Sequence, residues 1–114
     1  MPRTVIKKKL PSLLWEILVP CEQAGVLVPL AHHRDWDCRV RTISGGLTIM
    51  HASRGQWMNP DTGKLVAEKM IPVRFVATRR QFTKIVDFTL HHYRQHTVFA
   101  YKLSDEFVFR RGKS

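Results

Sequence analysis

A chain of 114 residues, 44% hydrophobic and 25% charged, has the size of one ordinary domain and enough apolar content for a two-layer core without disulfide or metal staples. That balance excludes disordered, collagenous and membrane classes. The net charge of +10 sits mostly at the ends: Arg3, Lys7, Lys8, Lys9, Arg110, Arg111 and Lys113 supply seven of it with no acid in residues 1–9 or 110–114, leaving about +3 on the body. One α+β domain spanning 1–114 is therefore expected, with basic termini at 1–9 and 110–114 that suit either phosphate contact or solubility.

Cys21 and Cys38 form no C-x-x-C pair, so they read as free thiols of a reducing compartment. The apolar run 10–21 after Lys7, Lys8 and Lys9 is broken by Pro11, Glu16 and Pro20 and is followed by no small-x-small cleavage site, so it does not read as a secretory signal. Nor does any segment reach the roughly 18 uncharged apolar residues of a membrane span. The expected location is the cytoplasm, with no membrane partner.

In chain order, residues 14–19 have the β-branched and aromatic content of a strand, stopped by Pro20. Residues 21–31, with Gly25 and Pro29 around Val-Leu-Val, read as a loop or a minor extension of that strand. Trp36, Val40 and Ile43 then recur at steps of four and three, predicting a helix over 32–44 that ends at Gly45 and Gly46. Residues 47–58 alternate loosely as one strand, with Gly55 as a bulge or bend. Asn59, Pro60, Asp61, Thr62 and Gly63 make a turn into a long amphipathic strand over 65–77, antiparallel to the one before. Pro72 in that strand cannot donate to a ladder and should face an unpaired edge or mark a bulge. Thr78 and Gln81 fit a capping box, and Phe82, Ile85, Val86, Thr89, Leu90 and Tyr93 follow on one helical face. A closing strand over 97–103, a turn at 104–106 and a short final strand or sheet-edge extension at 107–109 complete the chain.

Two helices among four strands in the order βαββαβ predict a ferredoxin-like sandwich, an antiparallel sheet with both helices on one face. The other face must then be solvated, covered by another copy, or hold a ligand, and Trp15, Trp57, Phe99 and Tyr101 decide which if they point that way.

His32, His33, Arg34, Asp35, Trp36 and Asp37 concentrate groups that bind metal, move protons or hold phosphate. The acids also suit a helix N-cap or first turn, and a working metal site would need further ligands converging from elsewhere and an open position, so neither metal nor cofactor is assigned. His92 and His96 lie four apart at the end of the second helix, beside His91 and Arg94, where cations meet the negative end of the dipole. His51, Ala52 and Ser53 match one H-x-S element of two-histidine phosphoesterases, but its second copy is lacking. The strand over 71–76 does not fit the aromatic pattern of the RNA-recognition motif.

Arg39, Arg41, Arg54, Arg74, Arg79 and Arg80 are spread over both helices and the central hairpin. Arg54, Gln56 and Trp57 stand out because a cation, an amide and an aromatic flank a glycine, and Arg79 with Arg80 because helix N-termini favour anions and oppose cations.

The run Gly45, Gly46, Leu47, Thr48, then Gly55, Gln56, Trp57, then Asp61, Thr62, Gly63, Lys64, Glu68 and finally Tyr93, Arg94, Gln95 resembles a small bacterial and phage-borne domain family with the ordered pattern GLT, GQW, DGK, E and Y-x-Q. The resemblance covers roughly residues 43–109 and implies a ferredoxin-like fold with no assigned activity.

The resulting expectation is a non-enzymatic module, a homodimer or larger, that binds a phosphorylated small molecule such as a nucleotide, or a nucleic-acid segment. Arg54, Gln56, Trp57, Arg79 and Arg80 are its candidate ligand-binding residues, with His33 and Arg34 as second choices. A phage or mobile-element accessory role would be a natural extension. The rivals are a small metal- or histidine-dependent hydrolase or lyase using His33, Asp35, Asp37 and His92, and a structural or protein-binding subunit.

Overall fold

The computed structural model describes residues 11–112. The basic segment 1–9 and Lys113 lie outside the described residues, whereas Arg110 and Arg111 are described and exposed. The elements are β1 (Ser12–Pro20), β2 (Glu22–Gln23), β3 (Val26–Leu27), α1 (Leu30–Ser44), β4 (Thr48–Ile49), β5 (Ser53–Met58), β6 (Leu65–Thr78), α2 (Arg79–His92) and β7 (Ala100–Ser104). The main sheet runs β4, β6, β1, β7, with β5 also pairing with β6, and each pairing is antiparallel. With the helices on one face, this is the expected ferredoxin-like arrangement.

Strand alternation sorts the side chains. Trp15, Ile17 and Val19 of β1 and Val73, Phe75 and Ala77 of β6 turn toward the helices, where all six are buried with Trp36, Val40, Ile85 and Tyr93. The register sets Trp15 opposite Phe75 and Ile17 opposite Val73, so the central pair of strands forms one apolar layer. Trp15 fits there because its indole N–H reaches the Ala77 carbonyl at 2.8 Å and its ring stacks on Phe82 at 3.8 Å.

α2 begins where its capping box demands. The Thr78 hydroxyl accepts from the Gln81 N–H at 3.2 Å, and the Gln81 side-chain carbonyl accepts from the Thr78 N–H at 2.9 Å. The remaining amide N–H of Gln81 donates to the Ile43 carbonyl at 3.0 Å, tying the start of α2 to the end of α1.

Several local expectations change, whereas Pro72 marks the irregularity expected of it. Residues 22–27 form a tight hairpin, with Ala24 and Gly25 both at positive φ in its turn. α1 starts at Leu30 with Pro29 as its N-cap, so neither Asp35 nor Asp37 caps it. The strand expected over 47–58 is two strands, because residues 50–52 stand opposite only 71 and 72 between the paired stretches. The slip sits at Pro72, which lacks an N–H but whose carbonyl accepts from Met50 at 2.9 Å, whereas Gly55 pairs regularly with Glu68. The closing strand starts at Ala100, and residues 107–109 form no strand, with no backbone hydrogen bond among the described residues to hold them in a ladder.

Candidate functional site

The residues singled out from the sequence fall in three places. Arg54, Gln56 and Trp57 lie on β5, whose residues are all exposed, in a two-stranded ribbon with the first half of β6. The strand period divides them: Arg54 opposite Lys69 and Gln56 opposite Ala67 take one face, and Trp57 opposite Val66 takes the other. Arg79 and Arg80 open α2, with the Arg79 guanidinium 5.3 Å from the centre of the Trp15 ring and Arg80 exposed. His33 and Arg34 lie in the first turns of α1, which meets the far end of α2, about 20 Å along the helix from Arg79.

That far end gathers several histidines. His32 and His92 stack at 3.8 Å, and the Nε2–H of each donates to the other's carbonyl at 2.8 Å. His33 Nδ1 and the Tyr93 hydroxyl share a hydrogen bond of 2.7 Å. Burial lowers the pKa of His33, only partly offset by Asp37, and burial raises that of Asp37. Burial, helped by Asp37, also holds the Tyr93 phenol well above the ordinary tyrosine range. A small cavity of about 290 Å³ adjoins this cluster between β2 and the helix ends. Of the rival catalytic set, His33 and Asp37 are neighbours, His92 is engaged with His32, and Asp35 is exposed. Among the described residues no three His, Cys, Asp or Glu converge to hold a metal ion.

The open face of the sheet holds a constellation that no local sequence pattern marks. Glu16 points away from the helices yet is only 7% exposed. Register places Tyr101, Glu16, Arg74 and Thr48 in one row across β7, β1, β6 and β4. Arg74 Nε–H donates to Glu16 Oε1 at 2.9 Å, and the Tyr101 hydroxyl donates to Oε2. Both carboxylate oxygens are therefore occupied, as a nearly buried charge requires. The Tyr101 pKa is raised, chiefly by that bond to Glu16 and secondarily by burial.

Arg74 also lines a cleft of about 920 Å³ at the sheet edge. Its lining includes Gly45, Gly46 and Thr48, Leu14 and Val76 of the paired strands β1 and β6, and Phe107 with Phe109 of the C-terminal segment. Phe109 is 81% exposed, so its ring is available to a ligand. Thr78 and Gln81 line the same cleft, which brings the start of α2, but not the β5 ribbon or His33, to its edge. The signal that could have found this row is Glu16 in the middle of an apolar strand, since a carboxylate there needs a cation on the neighbouring strand and Arg74 is the alternation-matched candidate.

No protein-family model and no curated protein matches the sequence. Solved structures do share the fold. The divalent cation tolerance protein Cut A1 from Thermus thermophilus superimposes with a TM-score of 0.62 at 12% identity, over 90% of this chain and 87% of that one. CutA1 from Oryza sativa gives 0.64 at 8% identity, over 91% and 84%. A phage SAM lyase in complex with S-methyl-5'-thioadenosine gives 0.62 at 13% identity, over 90% and 88%. At these identities the chain shares with them an α+β fold of two helices on an antiparallel sheet, and no helix among its described residues is long and apolar enough to cross a membrane.

Proposed function

We propose that the protein is a cytoplasmic, non-enzymatic binding module for a phosphorylated ligand of the nucleotide or nucleic-acid class, seated in the cleft at the sheet edge. The observation that carries this reading is the cleft's composition: Phe107, Phe109, Gly45, Gly46 and Arg74 all line one cavity. Aromatic rings stack bases and a guanidinium meets phosphate, so the two halves of a nucleotide each find a partner. Arg79 and Arg80 follow Thr78 at the start of α2 and add positive charge to that end of the domain, with the Arg79 guanidinium over the Trp15 ring and not in the cleft lining. The phage lyase of the same fold, in complex with a thioadenosine, supports a nucleoside ligand and fits a phage accessory role.

On this reading the protein works as a homodimer or larger. The β5–β6 ribbon carries exposed Trp57, Met58 and Leu65, so Arg54, Gln56 and Trp57 serve a site where a second copy meets them. Calorimetric titration with adenosine and ADP tests the cleft. Replacing Phe107 and Phe109 by Ala should weaken adenosine binding about tenfold, the scale of one base–aromatic stack. Failure of both compounds to bind, or unchanged affinity in the double variant, refutes the reading.

One observation favours a second reading, a small lyase or hydrolase: His33, kept neutral by burial, is hydrogen-bonded to Tyr93 beside Asp37. A neutral imidazole in that position is a general base by type. Incubation with S-adenosylmethionine and assay for S-methyl-5'-thioadenosine tests it; the absence of product, or turnover unchanged in His33→Gln, sinks that alternative.

A further inference from the structure

We propose that Arg74 is an anion clamp whose guanidinium is aimed by Glu16 and Tyr101, so that the cleft selects ligands bearing a phosphate or a carboxylate. The inference deepens the cleft reading above and rests on it for the place where the ligand sits. It begins with which atoms of Arg74 are used. Only Nε donates to the protein, to Glu16 Oε1 at 2.9 Å; among the described residues neither terminal nitrogen makes a hydrogen bond. Because the guanidinium is rigid and planar, fixing Nε fixes the direction of the two terminal N–H pairs. Of the three linked side chains, Arg74 alone lines the cleft, so its unused donors belong to the ligand side.

Glu16 and Tyr101 act through Arg74. The Glu16 side chain is 9% exposed against 46% for Arg74, so the carboxylate is the anchored partner and the cation the presented one. Its second oxygen is held by the Tyr101 hydroxyl, and the row of directly opposed residues on adjacent strands keeps the three in line. A bidentate pair would take Nε and one terminal nitrogen; here Glu16 takes Nε alone and leaves both terminal nitrogens as a two-pronged fork. Such a fork matches two oxygens of one anionic group, a geometry phosphate and carboxylate share. Two further donors of suitable type, the hydroxyls of Thr48 and Thr78, line the same cleft.

Anions without a nucleoside separate this claim from the cleft reading. Pyrophosphate and malonate are titrated into wild-type protein and into Arg74→Gln and Arg74→Lys variants by calorimetry, with adenosine in parallel. At least one anion should bind, identifying phosphate or carboxylate as the source, and both variants should lose that binding about tenfold or more. Lys keeps the charge but lacks the fork and is drawn to Glu16, so full affinity in Arg74→Lys would overturn the clamp. So would the failure of both anions to bind, or unchanged affinity in Arg74→Gln. Adenosine should bind the variants as it binds wild type. If it binds neither while pyrophosphate shows the Arg74 dependence, the nucleotide reading falls and the clamp stands.

Tyr101→Phe tests the aiming. Its fold should persist, the Arg74 Nε–H resonance should change in shift and exchange rate as the Glu16 carboxylate loses its second anchor, and anion affinity should fall severalfold. An unaltered resonance would remove Tyr101 from the device.

Discussion

The contact that locks the two helices together makes the sharpest test of the packing. Trp36 of α1 and Thr89 of α2 are both fully buried, and the indole N–H donates to the threonine hydroxyl at 3.0 Å while that hydroxyl donates to the Ile85 carbonyl at 2.6 Å. Thr89→Val keeps the shape but orphans the indole N–H inside the core, at a cost of about 1–3 kcal/mol. Trp36→Phe orphans the threonine lone pair and removes part of a buried ring, for about 2–3 kcal/mol. In the double variant both polar groups are gone, so the penalty for an unpaired group should be counted once less. The combined loss should fall short of the sum by about 1 kcal/mol, which is about 4–8 °C in Tm for a domain near this size. Chemical denaturation of the four proteins at one fixed concentration measures the cycle. Additivity within about 0.3 kcal/mol would show that the hydrogen bond does not couple the helices.

Other outcomes follow from single positions. Gly45 closes α1 at φ +92° with open space where a Cβ would stand, so Gly45→Ala should cost about 1 kcal/mol from backbone strain alone, and an unchanged Tm would refute that cause. His33 has its folded pKa below the unfolded value of 6.5, so the unfolded chain takes up the proton first. Its contribution is present above pH 6.5 and lost as pH falls through the folded pKa; His33→Gln should flatten the acid limb of a stability–pH curve, and an NMR titration should show this ring protonating below 6.5. Tyr93 and Tyr101 have the opposite sign, both held protonated in the fold, so their contribution is present below about pH 10 and lost above it. Phenolate absorbance of native protein should lag that of unfolded protein on base titration, and coincident curves would contradict both assignments.

How legible the fold is depends on where the signals lie. The capping box at Thr78 and Gln81 and the stripe from Phe82 to Tyr93 are local, so α2 can be read almost to the residue. The alternation of β6 is equally plain because one face is apolar wherever the core covers it. The small hairpin at 22–27 is not, since its turn uses Ala24 at positive φ where Asn or Gly is the usual marker. The break between β4 and β5 is dictated by Pro72, a residue on a different strand, so its effect on residues 50–52 shows only once the pairing is known.

The site is less legible for the same reason. Arg54, Gln56 and Trp57 are close in sequence, but an extended strand sends neighbours to opposite sides. Glu16, Arg74 and Tyr101 are separated by 58 and 85 residues across their two hydrogen bonds, so only strand register reveals that they share a row.

β6 carries a consequence through its length. It is one unbroken run of fourteen residues whose early positions stand in the open ribbon and whose later ones, Val73, Phe75 and Ala77, lie under the helices. Deuterium uptake along this one stretch of backbone should therefore fall from rapid to nearly arrested between Leu65 and Ala77, a ruler of local opening drawn on a single strand. Whatever docks on the ribbon would declare itself by levelling that slope.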